Sequence, residues 1–395
     1  MMGGEGMKWV AVFTVTWMTA FCGLTPAQAE SSGAGEYRAV TGPCDFRFPR
    51  DHGPHPDYRT EWWYYTGNVT DERGRAYGFQ FTFFRNRLIS DAARRRWPVR
   101  WSRWRSDTLI LLHMAVSDIS QKRFVHHRDA ARAVPGIAGA AFIDGRVDVF
   151  LKKSELIIQG ARHRLVGFGN PPSLDLRLVP EKEAVFHGRE GYSKKGHAPD
   201  RASCYYSFPR MAVRGRLRVG GQWVTVRGSA WMDHEYSTAP LEAGVVGWDW
   251  FSLQLSDGTE LMLYELRKAD GSIHPVSQGT FVRSDGTKED LVRTDFEVRV
   301  LGSWTSPHSG AVYPSGWSIR VPRLGLDVTV TPRLEDQEMV GEGADGIDYW
   351  EGSVAVRGRA GATAKEVSGL GYVELTGYAG PVFALQPESG KDDGP

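Results

Sequence analysis

Between Ala76 and Arg85, Phe79, Phe81 and Phe83 alternate with Gln80 and Thr82. An apolar period of two fits an extended strand, because successive strand side chains point to opposite faces. Similar short runs lie at Glu61–Gly67, Leu109–Ser117, Glu155–Gln159, Ser173–Leu178, Met211–Val219 and Gln222–Ala230, separated by Gly, Pro and Asp turns. Beyond them Trp248–Leu255, a Ser-Asp-Gly turn and Glu260–Arg267 predict a hairpin. Further strands are expected at 278–284, 295–301, 317–321, 325–331, 352–358 and 366–376, whereas 181–207, polar and glycine-marked, reads as a long loop with an aromatic end. No segment beyond residue 30 keeps a helical period over three turns. The expectation is an all-β chain of sandwich or barrel form, and 395 residues suffice for two such units.

Residues 1–29 have the pattern of a removed leader: Lys8, an apolar run from Trp9 to Leu24, and Ala27-Gln-Ala29 as the small-residue cleavage site. That run is shorter than the ~20 residues of a spanning helix, so no transmembrane segment is expected in the mature chain. Export, to the periplasm or the medium, follows as an expectation. Residues 30–45 read as a flexible lead-in, 46–240 and 241–385 as two domains, and 386–395 as a disordered tail. Cys44 and Cys204 remain after cleavage, and two cysteines so far apart leave a disulfide and two free thiols equally open.

Net charge is +1, which is no nucleic-acid footprint. The cluster Arg94, Arg95, Arg96, Arg100, Arg103 and Arg105, interleaved with Trp97, Trp101 and Trp104, reads first as a solvated loop. A phosphate or lipid-headgroup contact is the other reading.

Chemistry concentrates at Trp231–Tyr236 and Gly247–Ser252. Strand alternation puts Asp233 and Glu235 on one face and His234 and Tyr236 on the other. It likewise groups Asp249 with Phe251, Leu253 and Leu255, and Trp248 with Trp250. Asp249 in an apolar barrel interior would be a proton donor with a raised pKa; the alternative is that it braces a barrel rim. Adjacent strand residues point apart, so Asp233, His234 and Glu235 cannot together ligate one metal ion without a bend, and no metal site is assigned. Spacing does not distinguish His52, His55 and His113 as an additional shell from core or turn histidines. Gly-x-Ser-x-Gly, His-Glu-x-x-His, P-loop and dinucleotide-binding signatures are all missing.

Five blocks carry a family resemblance: Phe48–Gly67, Gly78–Arg85, Trp231–Glu235 with Gly247–Leu255, Asp336–Glu338 with Tyr349–Gly352, and Gly371–Tyr378. On these the chain resembles the AttH-like and carotenoid 1,2-hydratase (hydroxyneurosporene synthase) family. The resemblance implies two tandem lipocalin-like antiparallel β-barrels and cofactor-free, acid-catalysed addition of water to an isoprenoid double bond. It places Asp233, His234 and Tyr236 on the hydratase Asp-His-x-aromatic motif, where Trp is expected in place of Tyr236, with Asp249 as the second candidate acid. Trp62, Trp63, Trp248, Trp250, Tyr264 and Trp350 are candidate contacts for a hydrophobic small molecule, since in a barrel a packed core and a ligand site use the same side chains. The exported branch of the family suggests an alternative, a carrier of an apolar ligand associated with an ABC-type transporter.

Overall fold

The computed structural model describes residues 37–89, 105–239, 241–341 and 347–380. The leader, the arginine cluster apart from Arg105, and the C-terminal tail lie outside the described residues. Among the described residues the chain is built of β-strands and three single-turn 3-10 helices. None of these helices is long and apolar enough to cross a membrane.

The strands form two large antiparallel sheets, each with the same connectivity. In the first, strands Thr60–Asp71, Ala76–Arg87, Thr108–Asp118 and Arg123–Arg132 run outward to one edge. The chain then crosses to the other edge at Ala138–Ile143 and returns strand by strand until Gln222–Ser237 pairs with Thr60–Asp71. Only residues 133–137 join the two edge strands, so the sheet must curl until its edges approach, giving a nearly closed barrel. In the second sheet the edges are Lys288–Val292 and Glu297–Val300, joined through Arg293–Asp295, and Val245–Leu255 pairs with Lys365–Thr376. This sheet is a half-barrel. The two-barrel, lipocalin-like architecture expected above is therefore present.

Observed strands extend the expected ones by a few residues. The clear correction falls at 181–207: Val185–Phe186 and Tyr192–Lys194 pair with a long strand that already starts at Ala202. Its Tyr205-Tyr206-Ser207 end belongs to the sheet, because each residue faces a register partner on Gln222–Ser237. The described part of the lead-in is also packed rather than loose. Val40 is buried with Tyr58, Tyr192 and Tyr236, and Cys44 forms a disulfide with Cys204.

Each barrel interior is filled by the apolar face of its own strands. Phe79, Phe81, Phe83, Leu112, Met114, Leu165 and Leu176 fill the first; Phe251, Leu253, Trp317, Ile319, Val354 and Val373 fill the second. The outer faces are what meet. Tyr64, Tyr205 and Trp231 of the first barrel pack against Trp250, Met262, Tyr264 and Tyr372 of the second. Tyr64 donates to Glu351 Oε1 at 2.7 Å, and Asn68 Nδ2 donates to the carbonyl of Gly371. Gly78 permits this docking, since a Cβ there would lie 2.5 Å from the Tyr372 hydroxyl.

Candidate active site between the barrels

Because the barrels dock through their outer faces, side chains that alternation directs outward from a barrel are enclosed rather than solvated. They surround a cavity of about 340 Å³. Trp62, Tyr64, Lys195, Tyr205, Asp233 and Glu235 line it from the first barrel, and Trp248, Trp250, Tyr264 and Glu374 from the second. The volume lies near the lower end of the ~300–1,000 Å³ typical of small-molecule sites.

Register explains the first wall. Asp233 sits opposite Tyr64 on one side and Ser207 on the other, and Glu235 sits opposite Trp62 and Tyr205. The Asp233 carboxylate accepts from Trp231 Nε1 at 2.6 Å, from Tyr205 OH at 2.7 Å, and from Ser207 Oγ. Tyr205 in turn accepts from Trp250 Nε1 at 3.2 Å, which links the second barrel to this carboxylate. Burial pushes Asp233 up to about 7 despite these donors, and the nearby Glu235 charge adds to the rise. Glu235 accepts from Ser203 Oγ and pairs with Lys195 Nζ at 3.0 Å. That ammonium lies 4.1 Å from the Tyr264 ring centroid, in cation–π range. Burial works against the Lys195 charge, but Glu235, Tyr264 and Asp233 together outweigh it and the pKa is raised.

On the second wall Glu374 lies directly across from Trp250 and, on its other side, from Glu351. Its Oε2 accepts from the Trp248 indole at 3.0 Å. Burial pushes Glu374 up to about 7, and the Glu235 charge raises it further. Glu351 is pushed well above the usual carboxylate range by burial and by the charge on Glu374.

The structure divides the residues singled out from sequence. Asp233, Trp62, Trp248, Trp250 and Tyr264 converge on the cavity. His234, Tyr236, Asp249, Trp63 and Trp350 point the other way, into the barrels, because each sits one residue out of phase with the cavity face or on an inward-facing register. His234 Nε2 bonds Glu61 Oε1 at 2.9 Å and its ring stacks on Trp63. Tyr236 stacks on His55 at 3.7 Å between ring centroids. Asp249 does enter the apolar side of its barrel and burial raises its pKa, but Arg267 Nε at 2.7 Å and Tyr378 OH at 3.0 Å hold its carboxylate. Trp350 is core, with its indole donating to the Glu335 carbonyl.

His55, Glu61 and His234 form one cluster of metal-ligand type, so of the three histidines weighed for such a shell His55 joins His234. His113 instead bonds Tyr349 OH at 2.8 Å and His52 bonds Tyr206 OH at 2.7 Å. Arg85 Nε already sits 2.7 Å from Glu61 Oε2, and this guanidinium makes the cluster a buried ion-pair network that disfavours a dication.

Lys195, Tyr205 and Glu374 were not singled out from sequence. Lys195 lay in the supposed loop, and Glu374 was part of a block quoted only for its resemblance. Its alternation with Tyr372, outward from the core residues Val373 and Leu375, was the available signal.

Fold and cavity together define a tandem lipocalin-like protein with an acidic and aromatic site between its barrels. The model of the AttH-like family matches residues 39–378, and the chain belongs to that family. The crystal structure of a protein assigned as AttH from Nitrosomonas europaea is 30% identical, with a TM-score of 0.76 over 86% of this chain and 99% of that one. Kievitone hydratase from Nectria haematococca shares the fold at 15% identity, with a TM-score of 0.66 over 87% of this chain and 96% of the other. The dehydratase asqC of Emericella nidulans is 23% identical over 210 residues, 51% of this chain; the match spans 58% of that protein's length.

Proposed function

We propose that this chain is a hydro-lyase that adds water to, or removes it from, a compact apolar substrate held between the barrels, with Glu374 as the proton-transferring group. The observation that carries the reading is the Glu374 carboxyl, raised to about 7 in an aromatic-lined cavity where one indole N–H fixes it. A general acid works best with a pKa near the working pH. In the hydration direction the Glu374 proton goes to one alkene carbon and the π electrons form the new C–H bond. The cation left on the other carbon faces the indoles of Trp62, Trp248 and Trp250. Water attacks that carbon and its surplus proton returns to a carboxylate, Glu374 or Asp233. Dehydration runs through the same groups in reverse. Asp233, already receiving three hydrogen bonds, is suited to bearing charge, and Lys195 offers an anchor for a substrate oxygen.

The names of kievitone hydratase and of the asqC dehydratase agree in reaction type. A carotenoid would enter this volume by one end only, so a smaller isoprenoid or another compact apolar molecule fits better. The leader pattern and the Cys44–Cys204 disulfide support export to an oxidising compartment, the periplasm in our reading. The test is to extract the purified protein with organic solvent, identify the co-purified molecule by mass spectrometry, and incubate it with protein in heavy-oxygen water. Uptake or loss of water that depends on Glu374 supports the proposal. A ligand bound and returned unchanged overturns it in favour of a carrier, whose cavity holds cargo for an ABC-type transporter.

A further inference from the structure

Three segments that border the cavity each end in a metal-ligating side chain, and the three meet. His197 lies in the turn after Lys195, Glu242 follows the cavity residue Leu241 in the connector between barrels, and His274 donates its backbone N–H to the carbonyl of the cavity residue Leu266. His197 Nδ1 is 2.9 Å from Glu242 Oε1, and His274 Nε2 is 3.3 Å from Glu242 Oε2. The imidazole centroids are 4.6 Å apart, and the ligand atoms of all three residues lie within 4.8 Å of one another. Gly196 leaves the space that Glu242 occupies, since a Cβ there would sit 2.5 Å from Oε2.

We infer that His197, Glu242 and His274 form a binding site for a divalent transition-metal ion of the zinc type, which clasps the two barrels and their connector together at the cavity mouth. Two imidazoles and a carboxylate are a common zinc donor set, and three protein ligands leave a fourth position for water. Around an ion with bonds of ~2.0 Å, tetrahedral ligand atoms stand about 3.3 Å apart; Glu242 Oε2 already lies 3.2 Å from His197 Nδ1 and 3.3 Å from His274 Nε2, and the third pair lies within 4.8 Å. Access is open, since the His197 side chain is 64% exposed. The contrast with His55, Glu61 and His234 decides between the two clusters: there the carboxylate is already neutralised by Arg85 and His234 is fully enclosed.

One contact sets the affinity. His274 Nδ1 accepts from Val276 N–H at 3.3 Å, which fixes the proton on Nε2. Metal binding through Nε2 moves that proton to Nδ1 and turns this long bond into a donor–donor contact. The cost places the site below preformed structural zinc sites in affinity.

The inference is independent of what fills the cavity. The test is to strip the full chain with chelator, titrate it with zinc by calorimetry and with cobalt by visible absorption, and repeat with His197→Ala and Glu242→Gln, both at solvent-accessible positions. One equivalent of metal with four-coordinate cobalt bands is expected, and each variant should bind at least ~100-fold more weakly, beyond the roughly 10–100-fold that a supporting residue costs. Saturating zinc should raise Tm in the parent and not in Glu242→Gln. No binding at tenfold metal excess (roughly ten equivalents), or binding that survives both substitutions, would overturn the assignment.

Discussion

Glu351 and Glu374 face each other across two paired strands of the second barrel, and burial raises both carboxyls. Glu351 accepts from the Tyr64 hydroxyl within the packed interface, whereas Glu374 lines the cavity beside Trp248. Two like groups in register therefore have different surroundings, one packed against Tyr64 in the interface and one open to the cavity.

Substitution separates them. Glu374→Gln keeps an acceptor for the Trp248 indole and should fold normally, while turnover of the co-purified substrate falls by ~10²–10⁴, the usual worth of a positioned general acid. Glu351→Gln keeps an acceptor for the Tyr64 hydroxyl and should change stability by no more than about 1 kcal/mol, with turnover intact. Parallel rate and denaturation measurements on the two variants check this.

The pH dependence has a definite sign. Hydration needs Glu374 protonated, so turnover should fall as pH rises through about 7. For stability, the folded values of Asp233 and Glu374, both about 7, lie above their ordinary 3.8 and 4.5. The folded state thus holds more protons, and the stability these groups contribute is complete below those ordinary values and lost as pH rises towards 7. Glu374→Gln should gain stability relative to the parent between about pH 5 and about pH 8; urea midpoints at both values measure it, and a constant difference would count against the shift.

Glu61 gives the opposite slope. Burial alone would raise its pKa, but Arg85, His234 and His55 together hold the carboxyl well below its ordinary 4.5. Its contribution is present above that value and lost as acid protonates it. Arg85→Met removes the guanidinium that contributes most to holding this buried charge and should cost ~3–5 kcal/mol, read as a lower urea midpoint at neutral pH.

The Cys44–Cys204 disulfide closes a long stretch, with a sequence separation of 160. Replacing both cysteines by serine should cost about 2–5 kcal/mol and lower Tm. An unchanged Tm would mean that the packing of Val40 and Phe46 holds this segment by itself.

Much of the fold was legible because period two is a local property. The Phe79–Phe83 alternation and the sorting of Asp249 from Trp248 and Trp250 needed only neighbouring residues. The site was half legible for the same reason. Alternation correctly separated Asp233 from His234, but which side of a barrel becomes a cavity is decided by docking of the other barrel, and no local pattern carries that. A strand's outer face looks like solvent until Tyr372 and Trp250 cover it. Tyr205 and Lys195 were hidden differently: in a polar, glycine-marked stretch, Tyr205 pairs with a distant partner on Gln222–Ser237, and Lys195 directly follows Tyr192–Lys194, which pairs with the start of Ala202–Val219.

The two walls of the cavity belong to separate sheets. Asp233, Glu235 and Lys195 come entirely from the chain before Ser237, and Trp248, Tyr264 and Glu374 entirely from the chain after Val245. A single genetic crossover in the short connector therefore transfers one complete half-site without dividing either sheet.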